Sequence, residues 1–145
     1  MPDTRIRIES ELEVNSYLQN LRYALQHNAK ITFQAERRVD QNRNQRYTNK
    51  FTVADLFPDE NPATAMRREL QTLTVEEYMQ TVKDLRFPNR SEMRVFGKEY
   101  NRKEDVYIKI RVEVFSDFGN PAAFVMSFHY AEIPFRAEMF PYRKQ

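Results

Sequence analysis

Between Val106 and Tyr130 the chain reads VYIKIRVEVFSDFGNPAAFVMSFHY, with Tyr, Lys, Arg and His set at alternate positions between apolar neighbours. A strand that needs only a wet face can use Thr, Glu or Ser at such positions. These groups hold protons or bind phosphate. His129 is the side chain here whose unperturbed pKa, about 6.5, lies near cellular pH. Lysine and arginine suit phosphate, and Tyr107 or Phe96 can stack on a base. The chemistry they suit is metal-free cleavage of RNA. A base takes the 2′-hydroxyl proton, cations hold the charge on the phosphorane, and an acid protonates the departing 5′-oxygen.

The strands that position these groups follow from the alternation. Val106, Ile108, Ile110, Val112 and Val114 are directed to a core, and Tyr107, Lys109, Arg111 and Glu113 to the other face. In 122–130 the even positions Phe124, Met126, Phe128 and Tyr130 are the larger apolar groups, and the odd ones include Ser127 and His129. A hairpin turning near Phe118 keeps even opposite even. One such register sets Tyr107 across from His129 and Lys109 across from Ser127, with Cβ atoms about 4.5–5.5 Å apart. An earlier hairpin with its turn at Arg102-Lys103 sends Met93, Val95 and Gly97 to the core. Arg94, Phe96 and Lys98 then share the face of Tyr107, and a one-residue slip reverses that assignment.

The expected patch is Arg94, Lys98, Tyr107, Lys109, Arg111 and His129. Like charges crowded on one face cost stability unless an anion sits among them. Cationic neighbours lower the His129 pKa and keep the ring able to accept a proton. The plainer alternative is an ordinary wet sheet face, because alternation by itself reports only a half-buried antiparallel sheet.

Upstream, helices are expected. Residues 10–28 carry a Ser10/Glu13 capping box and a stripe of Val14, Leu18, Leu21 and Leu25, with His27 at the helix end as a surface cap. Residues 30–39 read as a strand and 40–50 as a polar loop whose Arg43, Arg46, Tyr47 and Lys50 are either RNA contacts or solvated. A short helical turn follows at 51–57. Asn61-Pro62 opens a further helix, and Thr74/Glu77 form a second capping box, giving two helical segments over 62–83. Residues 84–92 are a turn-rich connection. From Met93 the period becomes two. The fold class is therefore α+β: N-terminal helices packed on a C-terminal antiparallel β-sheet.

The chain has 145 residues, which suits one domain, 1–145. It has no Cys, so disulfides and Cys-held metals are excluded. Two Gly rule out a Gly-rich phosphate loop, and the two His, far apart, give no metal-ligand spacing. No apolar run approaches a membrane span, and the N-terminus lacks the apolar block of a signal peptide; a cytoplasmic protein without membrane contact is expected. Net charge is +2 with 30% charged residues, which fits one local basic patch better than a nucleic-acid coat.

The blocks LTVEEYMQTV, MRVFGKEYNRKEDVYIKIRVEV and FVMSFHYAEIPF…FPYRK resemble the MqsR-like toxins of bacterial type II toxin–antitoxin systems, over roughly residues 51–142. The resemblance implies a RelE-like fold, a metal-independent endoribonuclease acting on mRNA, and a cognate antitoxin protein as partner. It places the family's catalytic Tyr on Tyr107 and its last-strand Lys on His129. Its first-hairpin Gln falls on or near Arg94. Its helical Lys falls on Met79, which cannot do that job.

The resulting expectation is an mRNA interferase with no cofactor and no metal. His129, Tyr107, Lys98, Lys109 and Arg94 are its catalytic candidates, and Arg111, Phe96 and Ser127 its substrate contacts. The alternative is a non-catalytic module binding RNA or protein through the same face.

Overall fold

Helix α1 (Glu11–Gln26) begins where the sequence places it. Ser10 accepts from the Glu13 N–H at 3.1 Å while Glu13 accepts from the Ser10 N–H at 3.1 Å, so two otherwise orphaned donors are satisfied. Val14, Leu18, Leu21 and Leu25 are buried along one stripe. His27 caps the end, stacked on Tyr23 with ring centroids 3.9 Å apart. The computed structural model describes residues 3–35, 44–101, 103–113 and 121–144. Arg43, Arg102 and the turn near Phe118 lie outside them.

Around α1 stand β1 (Thr4–Arg7), β2 (Lys30–Phe33), α2 (Asn49–Leu56), α3 (Pro62–Leu70), β3 (Tyr78–Asp84), β4 (Met93–Tyr100), β5 (Glu104–Glu113) and β6 (Ala122–Tyr130). The architecture is α+β, with one six-stranded sheet in the order β1-β3-β4-β5-β6-β2 among the described residues. The sheet is mixed: β2 runs parallel to β6, and the other neighbours are antiparallel. Strands are not confined to the C-terminal part. The N-terminal β1, which no sequence signal announced, and β2 form the two edges.

The helical reading of 74–83 fails. Thr74 and Glu77 do form a capping box, but it serves a single 3-10 turn over Val75–Glu77 before β3 begins. The aromatic and β-branched run Tyr78, Thr81, Val82 fits a pleated surface, and all three side chains are buried there.

The helices share one buried cluster with Phe96, Val106, Ile108, Ile110, Val125, Phe128 and Tyr130 from the sheet. A smaller cluster of Val82, Met93 and Val95, joined by half-buried Met79, Tyr107 and Met126, lies on the opposite face. We call these the covered face and the open face. A C-terminal segment crosses one end of the open face, where Phe135 and Phe140 pack directly on Gly97.

The parity of β4 is the reverse of the expected one. Tyr100 pairs with Glu104, so the connection has three residues rather than two, and Asn101 adopts φ 52°. That left-handed conformation is one Asn tolerates. One extra loop residue flips the strand. Arg94, Phe96 and Lys98 therefore pair with Ile110, Ile108 and Val106 on the covered face, while Met93, Val95 and Gly97 pair with Arg111, Lys109 and Tyr107 on the open one.

Candidate active site

β5 and β6 pair as expected at the decisive positions: Tyr107 opposite His129, Lys109 opposite Ser127. The Tyr107 and His129 rings stack, with centroids 5.4 Å apart and planes at 24°. His129 Nδ1 lies 2.9 Å from the carbonyl oxygen of Tyr130. In the neutral ring that contact puts the proton on Nδ1 and leaves Nε2 as the acceptor nitrogen. Lys109 stands next to Tyr107 along the same face of β5, about 6.6 Å away at the strand rise.

Arg111 shares this face but is drawn aside. Its guanidinium pairs with Glu113 and lies over the Phe124 ring, Cζ 4.3 Å from the centroid. Its Nε is buried with no acceptor among the described residues. Burial would raise the Glu113 carboxyl, but hydrogen bonds from the Ser91 N–H and hydroxyl and from Arg111 outweigh it and hold it below its usual range. Asp105 and Glu99 lie opposite each other on the same face, and Asp105 accepts the Phe135 N–H at 2.9 Å. The face is thus mixed in charge and not a crowd of cations.

Three candidates are displaced. Arg94 lies under α1: its Nε donates to Glu9 at 2.8 Å and its guanidinium sits over Tyr17, Cζ 4.4 Å from the centroid. Glu9, only 3% exposed, also accepts from Thr81 at 2.7 Å. Lys98 pairs with Glu77 at 3.0 Å. Phe96 is fully buried against Tyr78, so it cannot stack on a base. Each error has the single cause of the longer turn. Ser127 does face Lys109 but is buried, which rules out direct contact with a large substrate.

A β-bulge at Met126 breaks the alternation of β6. Phe128 and Tyr130 face the core, but Phe124 is turned to the open face opposite Arg111 and Val125 takes the buried place. Bulges leave ladder groups unmatched and re-aim side chains. Among the described residues β2 pairs with β6 only as far as Val125, and α2 supplies the partners beyond it. The buried Asn49 amide donates to the carbonyls of Gln34 (2.8 Å) and Met126 (3.0 Å) and accepts the Phe128 N–H (3.0 Å). Thr52 accepts the Tyr130 N–H at 2.9 Å, and Tyr130 donates to Asp55 at 2.6 Å. Burial and that carboxylate raise the Tyr130 phenol well above its ordinary value. Asn49, Thr52 and Asp55 thus fix the strand end that carries His129. Nothing in the residue pattern marks them beyond a short helix after a polar stretch. Arg46 from that stretch pairs with Glu104 at 2.7 Å and lies over the Tyr130 ring.

Met79 sits at a bulge in β3 and packs on the open face beside Val95 and Tyr107. Among the described residues, no group of three or more His, Cys, Asp or Glu could hold a metal ion, and no helix is long and apolar enough to cross a membrane. The chain matches no protein-family model, no curated protein and no solved structure.

Proposed function

We propose that this protein is a metal-independent endoribonuclease, a toxin of the MqsR-like class with a RelE-like fold, restrained in the cytoplasm by a cognate antitoxin protein. The observation that supports it is the Tyr107–His129 stack with Lys109 beside it, on the sheet face that the helices leave open. His129 Nε2 takes the proton of the 2′-hydroxyl. The 2′-oxygen attacks the adjacent phosphorus, and the bond from phosphorus to the 5′-oxygen breaks. Tyr107 gives the leaving oxygen its proton. Lys109 stabilises the charge on the phosphorane. Arg111, tethered by Glu113, holds a flanking phosphate. Arg94 and Lys98 have no part in this step. The products are a 2′,3′-cyclic phosphate and a 5′-hydroxyl.

A second reading, a binding surface without chemistry, draws on the half-buried Met79 and Met126 beside Tyr107, since Met suits adaptable contacts. Product formation separates the two. Purified protein with EDTA is expected to cleave mRNA. His129→Ala should lose about 10²–10⁴-fold in rate and Tyr107→Phe a comparable factor, as positioned acids and bases typically contribute. Abolition by EDTA, or full activity in both variants, sinks the proposal.

A further inference from the structure

Residues 85–92 join β3 to β4 and present an exposed aromatic to two guanidinium groups. Phe87 is 42% exposed. Arg90 lies over its ring with Cζ 3.8 Å from the centroid, and Arg86 with Cζ at 5.8 Å. The loop is fastened at both ends. Lys83 Nζ donates to the carbonyls of Pro88, at 3.0 Å, and Arg90. Asp84 accepts from the Arg86 N–H at 3.0 Å and from its guanidinium at 3.1 Å. At the far end Ser91 donates its N–H to Glu113 at 2.8 Å, and its hydroxyl lies 2.7 Å from the Val112 carbonyl oxygen. The stacked ring and its cations are therefore held in place at the end of β5, the strand that carries Tyr107, Lys109 and Arg111.

We infer that this loop is a second docking point for single-stranded RNA, flanking the cleavage site. Its substrate class rests on the ribonuclease reading above. Unpaired bases stack on aromatic rings and on guanidinium planes, and phosphates are gripped by Arg and Lys. The loop offers both at once: an exposed Phe87–Arg90 stack, and the cations Lys83, Arg86 and Arg90 beside the carboxylates of Asp84 and Asp3, while Glu92 at the loop's end is bound by Arg7. An acidic polypeptide would use the cations but not the ring. A duplex would not expose its bases. Six residue steps separate Tyr107 from Glu113, about 20 Å at the strand rise, so the loop meets RNA several nucleotides from the scissile bond. Short substrates do not reach it.

Anisotropy with an uncleavable 2′-O-methyl RNA of about 12 nucleotides reads binding without turnover, within the usual footprint of single-strand binders. Phe87→Ala should weaken binding about fivefold or more, in line with one lost base stack. Arg86→Glu/Arg90→Glu should weaken it further, with a salt slope shallower by about 0.7 for each lost phosphate contact. Cleavage of an RNA of about four nucleotides should be unchanged in both, since it does not span the 20 Å or so to the loop. If the wild type cleaves and both variants bind the long RNA as tightly as it does, with the same salt slope, the loop inference falls and the ribonuclease reading stands. If the wild type binds but never cleaves, and the variants weaken binding, the loop inference stands and the ribonuclease reading falls. Should the double charge reversal lose its folded circular-dichroism spectrum, Phe87→Ala decides alone. Equal affinity for polyglutamate overturns the inference in favour of an acidic protein partner.

Discussion

The β4–β5 hairpin carries cations on both faces, and the same residue types serve opposite ends on each. On the covered face Arg94 is bound to the buried Glu9 and stacked on Tyr17, and Lys98 is bound to Glu77. On the open face Lys109 stands beside the Tyr107–His129 stack, and Arg111 is steadied by Glu113. The difference is what surrounds the charge. Under the helices a cation needs a carboxylate to exist at all, so its interactions are spent on the fold. On the face that no helix covers, a cation stands within reach of a phosphate. Counting basic residues along a strand does not separate these cases; face does.

The most direct way to break the comparison is to remove one cation from each face. Arg94→Ala leaves the buried Glu9 carboxylate with Thr81 at 2.7 Å and Arg7 at 3.7 Å, and should cost about 1.5–3 kcal/mol of stability, as the loss of a hydrogen bond to a charged group does. Cleavage per folded molecule should be retained. Lys109→Ala should change stability by less than about 1 kcal/mol, as for partly exposed charges, and lower the rate of RNA cleavage. Urea denaturation alongside initial-rate measurements checks both. If Arg94→Ala is fully stable but inactive, the covered face has been misassigned.

Much of this division was legible in sequence. The alternation of β5 and the opposition of Tyr107 to His129 came from periodicity, because β-branched residues at every even position admit one orientation. The assignment of β4 did not, for a physical reason. Met93 and Val95 are apolar on one parity and Phe96 on the other, and both sets are buried, in different clusters. Hydrophobic pattern then leaves the register open, and a single loop residue at Asn101 decides it. The Met126 bulge was equally hidden, since its stability depends on Asn49, which is more than seventy residues away along the chain. The capping box at Thr74 was real, but a box sets where a helical turn starts and not how far it runs.

The open face is not open throughout, and Gly97 tests where it closes. A Cβ there, projecting beside Tyr107, would lie 2.7 Å from Phe135 Cε2 and 2.8 Å from Phe140 Cζ. Both rings must move to admit it. Gly97→Ala should cost about 1–3 kcal/mol as overpacking does. It should also lower cleavage, because the displaced segment borders Tyr107. Thermal melts and rates on one RNA would show it. An unchanged melting temperature would mean that the C-terminal segment is only loosely seated, and that the open face extends past Gly97.

The smallest expected effect sharpens the comparison at Arg111, which pairs with Glu113 on the open face. Glu113 is held below its ordinary value of 4.5, since hydrogen bonds from Ser91 and Arg111 overcome the effect of burial. A carboxylate depressed in the folded state adds stability that is fully present above 4.5 and is lost as pH falls through the lower folded value. Glu113→Gln should therefore be less stable than the wild type at neutral pH, and the gap should close below 4.5 as the wild-type carboxyl takes up its proton. Denaturant melts at a series of pH values read this gap directly. Arg94 makes the contrast: Arg94→Met should cost stability without restoring or removing RNA cleavage. A gap at Glu113 that stays constant down to strongly acid pH would show that the carboxyl is not the tether of Arg111, and that the guanidinium is held by Phe124 and its own burial instead.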